Sequence, residues 1–292
     1  MPLGAMLRRH PYWAFRSALL ADFVNGPYGD EYGVDRRQKL TLIKQFDVIN
    51  RRIVSATGTL THIVLARAIL SIPRSVEGDI VECGCYKGAS TASLSLVCRL
   101  SGRRLVACDS FEGLPEDDQP VHLGLHTGTY GHYKKGMFCG RLDEVTENVG
   151  KFGALETCEF VEGFFCESLK ALNRPIAFAF LDVDLVTSTK DALSHIWPLL
   201  IDDGFIYTDD AGDLDVVRVF WDDRWWEETL GCRSPGFIGS GCGIPVTPPF
   251  SGIGYTQKIV ALDVTKYQRA PHLWYPDAET PGRNVNGSVV RD

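Results

Sequence analysis

The chain has no apolar run of about 18 residues, no Cys-x-x-Cys pair, no Gly-x-Gly-x-x-Gly and no surplus of positive charge. Each absence excludes something. Without the long apolar run no helix spans a membrane. Without paired cysteines at zinc spacing there is no zinc-finger signature, and Cys83-x-Cys85 alone is a poor one. Without the glycine triplet the dinucleotide fingerprint fails, which counts against a nicotinamide-dependent oxidoreductase. A net charge of -7, from 37 acidic and 30 basic side chains, argues against nucleic acid as a partner. No 20–50-residue repeat and no low-complexity tract is present.

What remains is ordinary globular composition, 45% apolar and 23% charged over 292 residues. That length suits about two domains of ~150 residues or one elaborated α/β domain. The nine cysteines are odd in number and irregularly spaced. Cys83 and Cys108 sit in apolar strand-like runs, where cysteine acts as a small hydrophobe. Free thiols and a reducing cytoplasm are expected. The N-terminal MPLGAMLRRHPYWAFRSALLADFV has no clean apolar core followed by a small-residue cleavage site, so a signal peptide is not expected. Its aromatic residues point to a helix packed on the body or on a second subunit, hence a homodimer.

Helical spacing runs over residues 38–73 with a break at Gly58. Short apolar strands are predicted at Asp79–Cys83, Arg104–Cys108, Glu159–Val161, Ile176–Leu181, Gly204–Thr208 and Tyr255–Leu262. Helices are predicted at Ala89–Leu100, Phe165–Leu172, Ser188–Leu200 and Leu214–Leu230. Strands alternating with helices, several apolar throughout, indicate an α/β fold with a doubly wound, mostly parallel sheet. Residues 1–75 read as an N-terminal helical lid or dimerisation segment. Residues 76–265 read as the main domain and 266–292 as a polar tail. Two stretches lack periodicity, the insert 115–140 and the Gly/Pro-rich 232–254, and long loops of this kind are usually lids or binding loops.

In a doubly wound sheet ligands bind outside the carboxyl ends of the strands. Here those ends carry acids in turn: Glu82, Asp109, Asp182 with Asp184, and Asp209-Asp210. Gly84 and Gly88 let the chain turn tightly after the first strand. Asp109 stands where a carboxylate accepts ribose hydroxyls, or where it serves as a helix cap. Asp182, Asp209 and Asp210 offer three oxygen donors suited to Mg²⁺, or form a solvated acidic loop. Asp184 is a substrate hydrogen-bond acceptor, a general base or a helix cap. His122, His126 and His132 in the insert are further candidate bases. His195 reads as a packing residue.

Four ordered segments then resemble one family. GDIVECGCYKGAS, VACDSFEGLPE (106–116), FVEGFFCESL (160–169), and FLDVDLVTSTKDAL (180–193) with GFIYTDD (204–210) are similar to the motifs of the macrocin O-methyltransferase (TylF-type) family. The resemblance covers roughly Asp79–Gly212. It implies a class I, Rossmann-like methyltransferase fold using S-adenosylmethionine and Mg²⁺ to methylate a hydroxyl of a sugar or glycosylated natural product. It implies that Glu82 and Gly84 face the methionine part of the cofactor, with Tyr86 of the same loop also on the cofactor. Asp109 would hold the ribose with Ser110 beside it, and Gly163 and Phe164 would border the adenine. Asp182, Asp209 and Asp210 would hold the metal. The resemblance names no base; the residues themselves make Asp182 and Asp184 the catalytic candidates, with the proton going to Asp184 or a loop histidine. The chain departs from the family at Leu185-Val186-Thr187 and at Asp202-Asp203-Gly204. A metal-dependent hydrolase and a non-catalytic methyltransferase-like protein are the alternative readings.

Overall fold

The structure is a computed structural model that describes residues 16–117, 119, 121–124, 128–130, 133–238 and 253–259. A helix covering residues 16–25 (α1) leads into α2 (Arg36–Arg52) and α3 (Thr59–Leu70). Asp35 and Gln38 start α2 with a reciprocal capping box, and the expected break at Gly58 is the N-cap of α3. The remaining elements run β1 (Asp79–Cys83), α4 (Ala89–Ser101), β2 (Leu105–Asp109), β3 (His122–Gly124), β4 (Gly128–Tyr130), α5 (Leu142–Phe152) and β5 (Cys158–Glu162). Then come α6 (Phe165–Ser168), β6 (Ile176–Leu181), α7 (Val186–Leu199), β7 (Leu200–Thr208), α8 (Leu214–Val219), α9 (Asp223–Leu230) and β8 (Gly254–Gln257).

Six strands form one sheet in the order β5-β2-β1-β6-β7-β8. All pairs are parallel except β7–β8. Strand order reverses between β1 and β6, so the crevice at their carboxyl ends is the topological switch point where such sheets bind ligands. Apolar side chains leave both faces of the sheet. On one side Phe178, Phe180 and Ile80 pack with Phe46, Ile63 and Leu65 of α2 and α3. On the other, Val81, Ala179 and Leu181 pack with Ile196 and Trp226. Burial on both faces is why these strands read as unbroken apolar runs. The chain divides at Lys258, and the described residues before that point form one compact unit.

The late strand expected over Tyr255–Leu262 is found at Gly254–Gln257, and three further expectations change in detail. The single helix expected over Leu214–Leu230 is two, because Asp222 turns its carboxylate onto the Trp225 N–H and starts α9 afresh. The fifth strand begins at Leu200, ahead of Gly204, since Leu200 pairs with Ile176 before an irregularity carries the register to Phe205–Phe178. The insert 115–140 is not wholly irregular, because β3 and β4 pair as a small antiparallel hairpin. The tail 266–292, His126, His132 and Cys242 lie outside the described residues, and the eight described cysteines are free thiols.

His62 fastens the helical layer. It is 1% exposed, with Thr57 Oγ1 at 2.9 Å from Nε2 and Ser93 Oγ at 2.9 Å from Nδ1, tying α3 to α4. Burial pushes the imidazole pKa down to about 3. Folded His62 therefore stays neutral where the unfolded chain, with its ordinary value near 6.5, takes up a proton. Its contribution is complete above pH 6.5 and is lost as pH falls toward 3. In urea titrations the stability gap between wild type and His62→Gln should narrow by roughly 2 kcal/mol from pH 6.5 to 4.5. A gap that holds constant contradicts this.

Candidate functional site

The carboxyl ends of the central strands are stitched together by main-chain bonds. Gly84 N–H donates to Cys108 O at 3.0 Å, Asp182 N–H to Cys83 O at 2.9 Å, Gly163 N–H to Asp109 O at 2.9 Å and Asp209 N–H to Leu181 O at 3.1 Å. Gly84 has φ +91°, and a Cβ there would stand 1.9 Å from the Asp182 carbonyl oxygen. Only glycine lets the β1 loop lie this close to the end of β6. A cavity of about 400 Å³ opens beside that contact, and its lining includes Gly84, Tyr86, Asp109, Phe164, Asp182 and Asp184. That is the size range of a cofactor or substrate site.

Asp109 is 8% exposed. Its Oδ2 accepts from the N–H of Cys85 at 2.6 Å and of Tyr86 at 3.3 Å, and its Oδ1 from Phe111 N–H at 2.8 Å. Burial raises its pKa and these three N–H groups oppose the rise. The carboxylate thus shapes the β1 loop and caps the turn after β2, while still bordering the cavity. Ser110 makes a local turn, donating to Gly113 O at 2.8 Å and accepting from Glu112 N–H at 3.1 Å. Gly163 turns at φ +127°, Ser168 Oγ donates to its carbonyl at 3.0 Å, and Phe164 is the residue before α6.

Glu82 is fully buried. Burial lifts its pKa to about 7, opposed by the nearby Ser90 and Thr91 hydroxyls, and its Oε1 has no hydrogen-bond partner among the described residues. At 0% exposure Glu82 is not among the residues that line the cavity.

The acids after β6 and β7 crowd one another. Burial raises Asp182 well above the usual carboxylate range, with Asp209, Asp210, Asp184 and Glu82 adding to it. Asp182 and Asp184 keep a rim open to the cavity and are enclosed by protein elsewhere. Asp209 and Asp210 are 8% and 7% exposed. Asp210 Oδ2 accepts from Val183 N–H and Asp184 N–H, both at 3.1 Å, and from Thr208 Oγ1 at 3.3 Å. It thereby holds Asp184, a non-glycine residue at φ +59°. Burial pushes Asp184 up to about 6, opposed by a hydrogen bond with Tyr133 and by the nearby His122. Among the described residues, no group of three or more His, Cys, Asp or Glu side chains stands in metal-holding arrangement. The three expected metal acids are neighbours, and Asp210 spends an oxygen on the main chain.

Three further residues join this site. Of the insert histidines, His122 is described, and it is paired: Nε2 lies 2.8 Å from Asp117 Oδ2, the two side chains 3% and 6% exposed. Tyr133 packs edge-on against His122 with centroids 5.0 Å apart. Asp117 directly follows the VACDSFEGLPE segment and Tyr133 lies in the insert, and no local pattern marks either.

The family described as macrocin-O-methyltransferase (TylF) matches residues 61–230, more than half of the chain. The chain is 35% identical over 148 residues to the 8-demethyl-8-(2,3-dimethoxy-alpha-L-rhamnosyl)-tetracenomycin-C 4'-O-methyltransferase of Streptomyces olivaceus, covering 49% of this chain and 56% of that one. It is 27% identical over 144 residues to the demethyldecarbamoylnovobiocin O-methyltransferase of Streptomyces niveus, covering 48% and 55%. The chain thus spans about half the length of the curated relatives it matches. The solved O-methyltransferase NovP superposes with a TM-score of 0.54 at 20% identity, covering 69% of this chain and 81% of that one. That likeness shows the doubly wound methyltransferase fold.

Glu82 provides a pH test. Its raised pKa means that the folded chain binds a proton the unfolded chain has released between pH 4.5 and about 7, so its burial costs stability as pH rises through that window. Glu82→Gln should gain on wild type by roughly 3 kcal/mol across it, in cofactor-free urea titrations. A constant difference contradicts the assignment.

Proposed function

The chain belongs to the macrocin-O-methyltransferase (TylF) family, and on that premise we propose that it is an S-adenosylmethionine-dependent O-methyltransferase acting on a sugar hydroxyl of a glycosylated natural product. One observation carries the reading: the glycine-turned β1 loop, held by Asp109, shares a single cavity with the acids that end β6. The Streptomyces olivaceus relative is named for methylating a rhamnosyl-bearing tetracenomycin, which supports a sugar acceptor here.

The residues fit the cofactor. Glu82 holds a buried oxygen without a partner, and Gly84, Asp109, Ser110 and Phe164 line the one cavity. When bound, S-adenosylmethionine supplies an electrophilic sulfonium methyl. Glu82 and Gly84 serve its methionine part, the Tyr86 main chain belongs to the same loop, Asp109 and Ser110 serve the ribose, and Gly163 and Phe164 border the adenine. Asp184 takes the proton of the acceptor hydroxyl. A carboxylate whose pKa is about 6 is a competent base near neutrality. Most of the acceleration comes from aligning hydroxyl and methyl in a site that excludes water, with the segment 1–75 and the insert 115–140 closing over the acceptor.

Mg²⁺ is the finer part of this proposal. Asp182, Asp209 and Asp210 would hold it, and it would stabilise negative charge on the acceptor oxygen. The support is donor chemistry: carboxylates that raise one another's pKa values favour a cation. Their arrangement does not gather them about one point, so the proton transfer above is assigned to Asp184 alone. The aromatic N-terminal segment supports a homodimer, and the free thiols support a cytoplasmic location. No described helix is long and apolar enough to cross a membrane.

Calorimetric titration with S-adenosylhomocysteine should give binding in wild type, weakened about tenfold or more in Asp109→Asn. A Mg²⁺ heat that vanishes in Asp182→Asn supports the cation. Mg²⁺ binding without S-adenosylhomocysteine binding overturns the methyltransferase reading in favour of a hydrolase.

A further inference from the structure

Among the described residues five non-glycines have positive φ, and three of them, Tyr86 (+45°), Phe138 (+54°) and Asp184 (+59°), line the same cavity. Bulky side chains rarely adopt this conformation, which costs of order 1–3 kcal/mol each and persists where the surroundings impose it. Here they do. A Cβ on Gly140 would stand 1.8 Å from the Tyr86 carbonyl oxygen, and one on Gly113 would stand 2.5 Å from the Met137 oxygen. Leu114 N–H donates to Met137 O at 2.8 Å and Gly136 N–H to Leu114 O at 2.9 Å. The chain on either side of Phe138 is therefore clamped, main chain against main chain, onto the β1 loop and the start of the insert.

The clamp presents two aromatic rings. Tyr86 and Phe138 meet edge to face, with centroids 5.7 Å apart and planes at 85°. Phe138 is 36% exposed despite its place in the cavity wall. Tyr133 backs Phe138 at 6.2 Å and hydrogen-bonds Asp184, so the rings and the acids belong to one rigid wall. The Tyr86 N–H is turned to Asp109, which leaves its ring as the part facing the aromatic corner.

We propose that Tyr86 and Phe138 are the acceptor platform, and that a pyranose ring seats its C–H face in their corner with its hydroxyls toward Asp182 and Asp184. The assignment rests on the sugar-acceptor reading and adds the residues that recognise the ring. Two features select a sugar over a flat aglycone. Perpendicular rings make a corner that cups a puckered ring, whereas a planar polycycle needs parallel walls. Carboxylates in the same cavity require a ligand that carries hydroxyls within a few ångströms of an apolar face. Aromatic faces bear negative charge and attract weakly positive C–H groups, and a corner already fixed by strain loses little entropy when it is filled.

The test uses the full chain loaded with S-adenosylhomocysteine and methyl α-L-rhamnopyranoside as the probe, read by saturation-transfer difference NMR. Calorimetry of S-adenosylhomocysteine is run on the same samples. Wild type should transfer saturation to the ring C–H protons of the probe. Phe138→Leu, which keeps apolar bulk without a ring face, and Phe138→Ala should weaken the probe about tenfold, and Phe138→Trp should retain it. Cofactor-product affinity should stay within about twofold in all of them. Equal probe affinity in Phe138→Leu and wild type overturns the platform. S-adenosylhomocysteine binding with no probe signal overturns it too and leaves the methyltransferase reading standing. Probe binding without S-adenosylhomocysteine binding supports the platform and overturns that reading.

Discussion

The β1 loop and the end of β6 touch at Gly84, where any side chain would meet the Asp182 carbonyl at 1.9 Å. That contact is a consequence of the sheet. Parallel pairing sets Cys83 opposite Leu181, and the bond from Asp182 N–H to Cys83 O extends the ladder one step past the strand. The β1 loop and the acids that end β6 are thus placed within a single cavity at the point where strand order reverses. Asp109 from β2 closes the arrangement by holding the loop's N–H groups.

Placing acids at the strand ends brings several carboxylates into one low-dielectric crevice, which costs stability unless each finds compensation. The compensation is largely main-chain. Asp109 accepts three N–H groups, and Asp210 accepts those of Val183 and Asp184. The second case also fixes conformation, because the bond to the Asp184 N–H holds that residue in its left-handed turn with its carboxyl in the cavity wall. Asp210 therefore acts on Asp184 through the backbone as well as through charge.

The sheet was legible because strands buried on both faces show as apolar runs, and the rim because acids at successive strand ends stand out against such runs. The loop after β1 was legible through its glycines. The insert was not. Its hairpin is three residues on each side, too short to show alternation. The Tyr133–Asp184 bond and the Tyr86–Phe138 corner join residues about fifty apart along the chain, and the Asp117–His122 pair, though local, follows no recognisable spacing. Phe138 and Tyr86 occupy a backbone region that aromatic residues do not favour, so local preference points away from their actual conformation. The split at Asp222 was missed because apolar spacing continues across it, while a single side-chain cap decides the break.

A crystal structure of the chain with S-adenosylhomocysteine tests the central claim most directly. The account predicts density for the ligand across the carboxyl ends of β1, β2 and β5, with the ribose hydroxyls at Asp109 and the sulfur turned toward Asp182 and Asp184. Ligand density elsewhere, or an Asp109 carboxylate that makes no contact with the ribose, would contradict it.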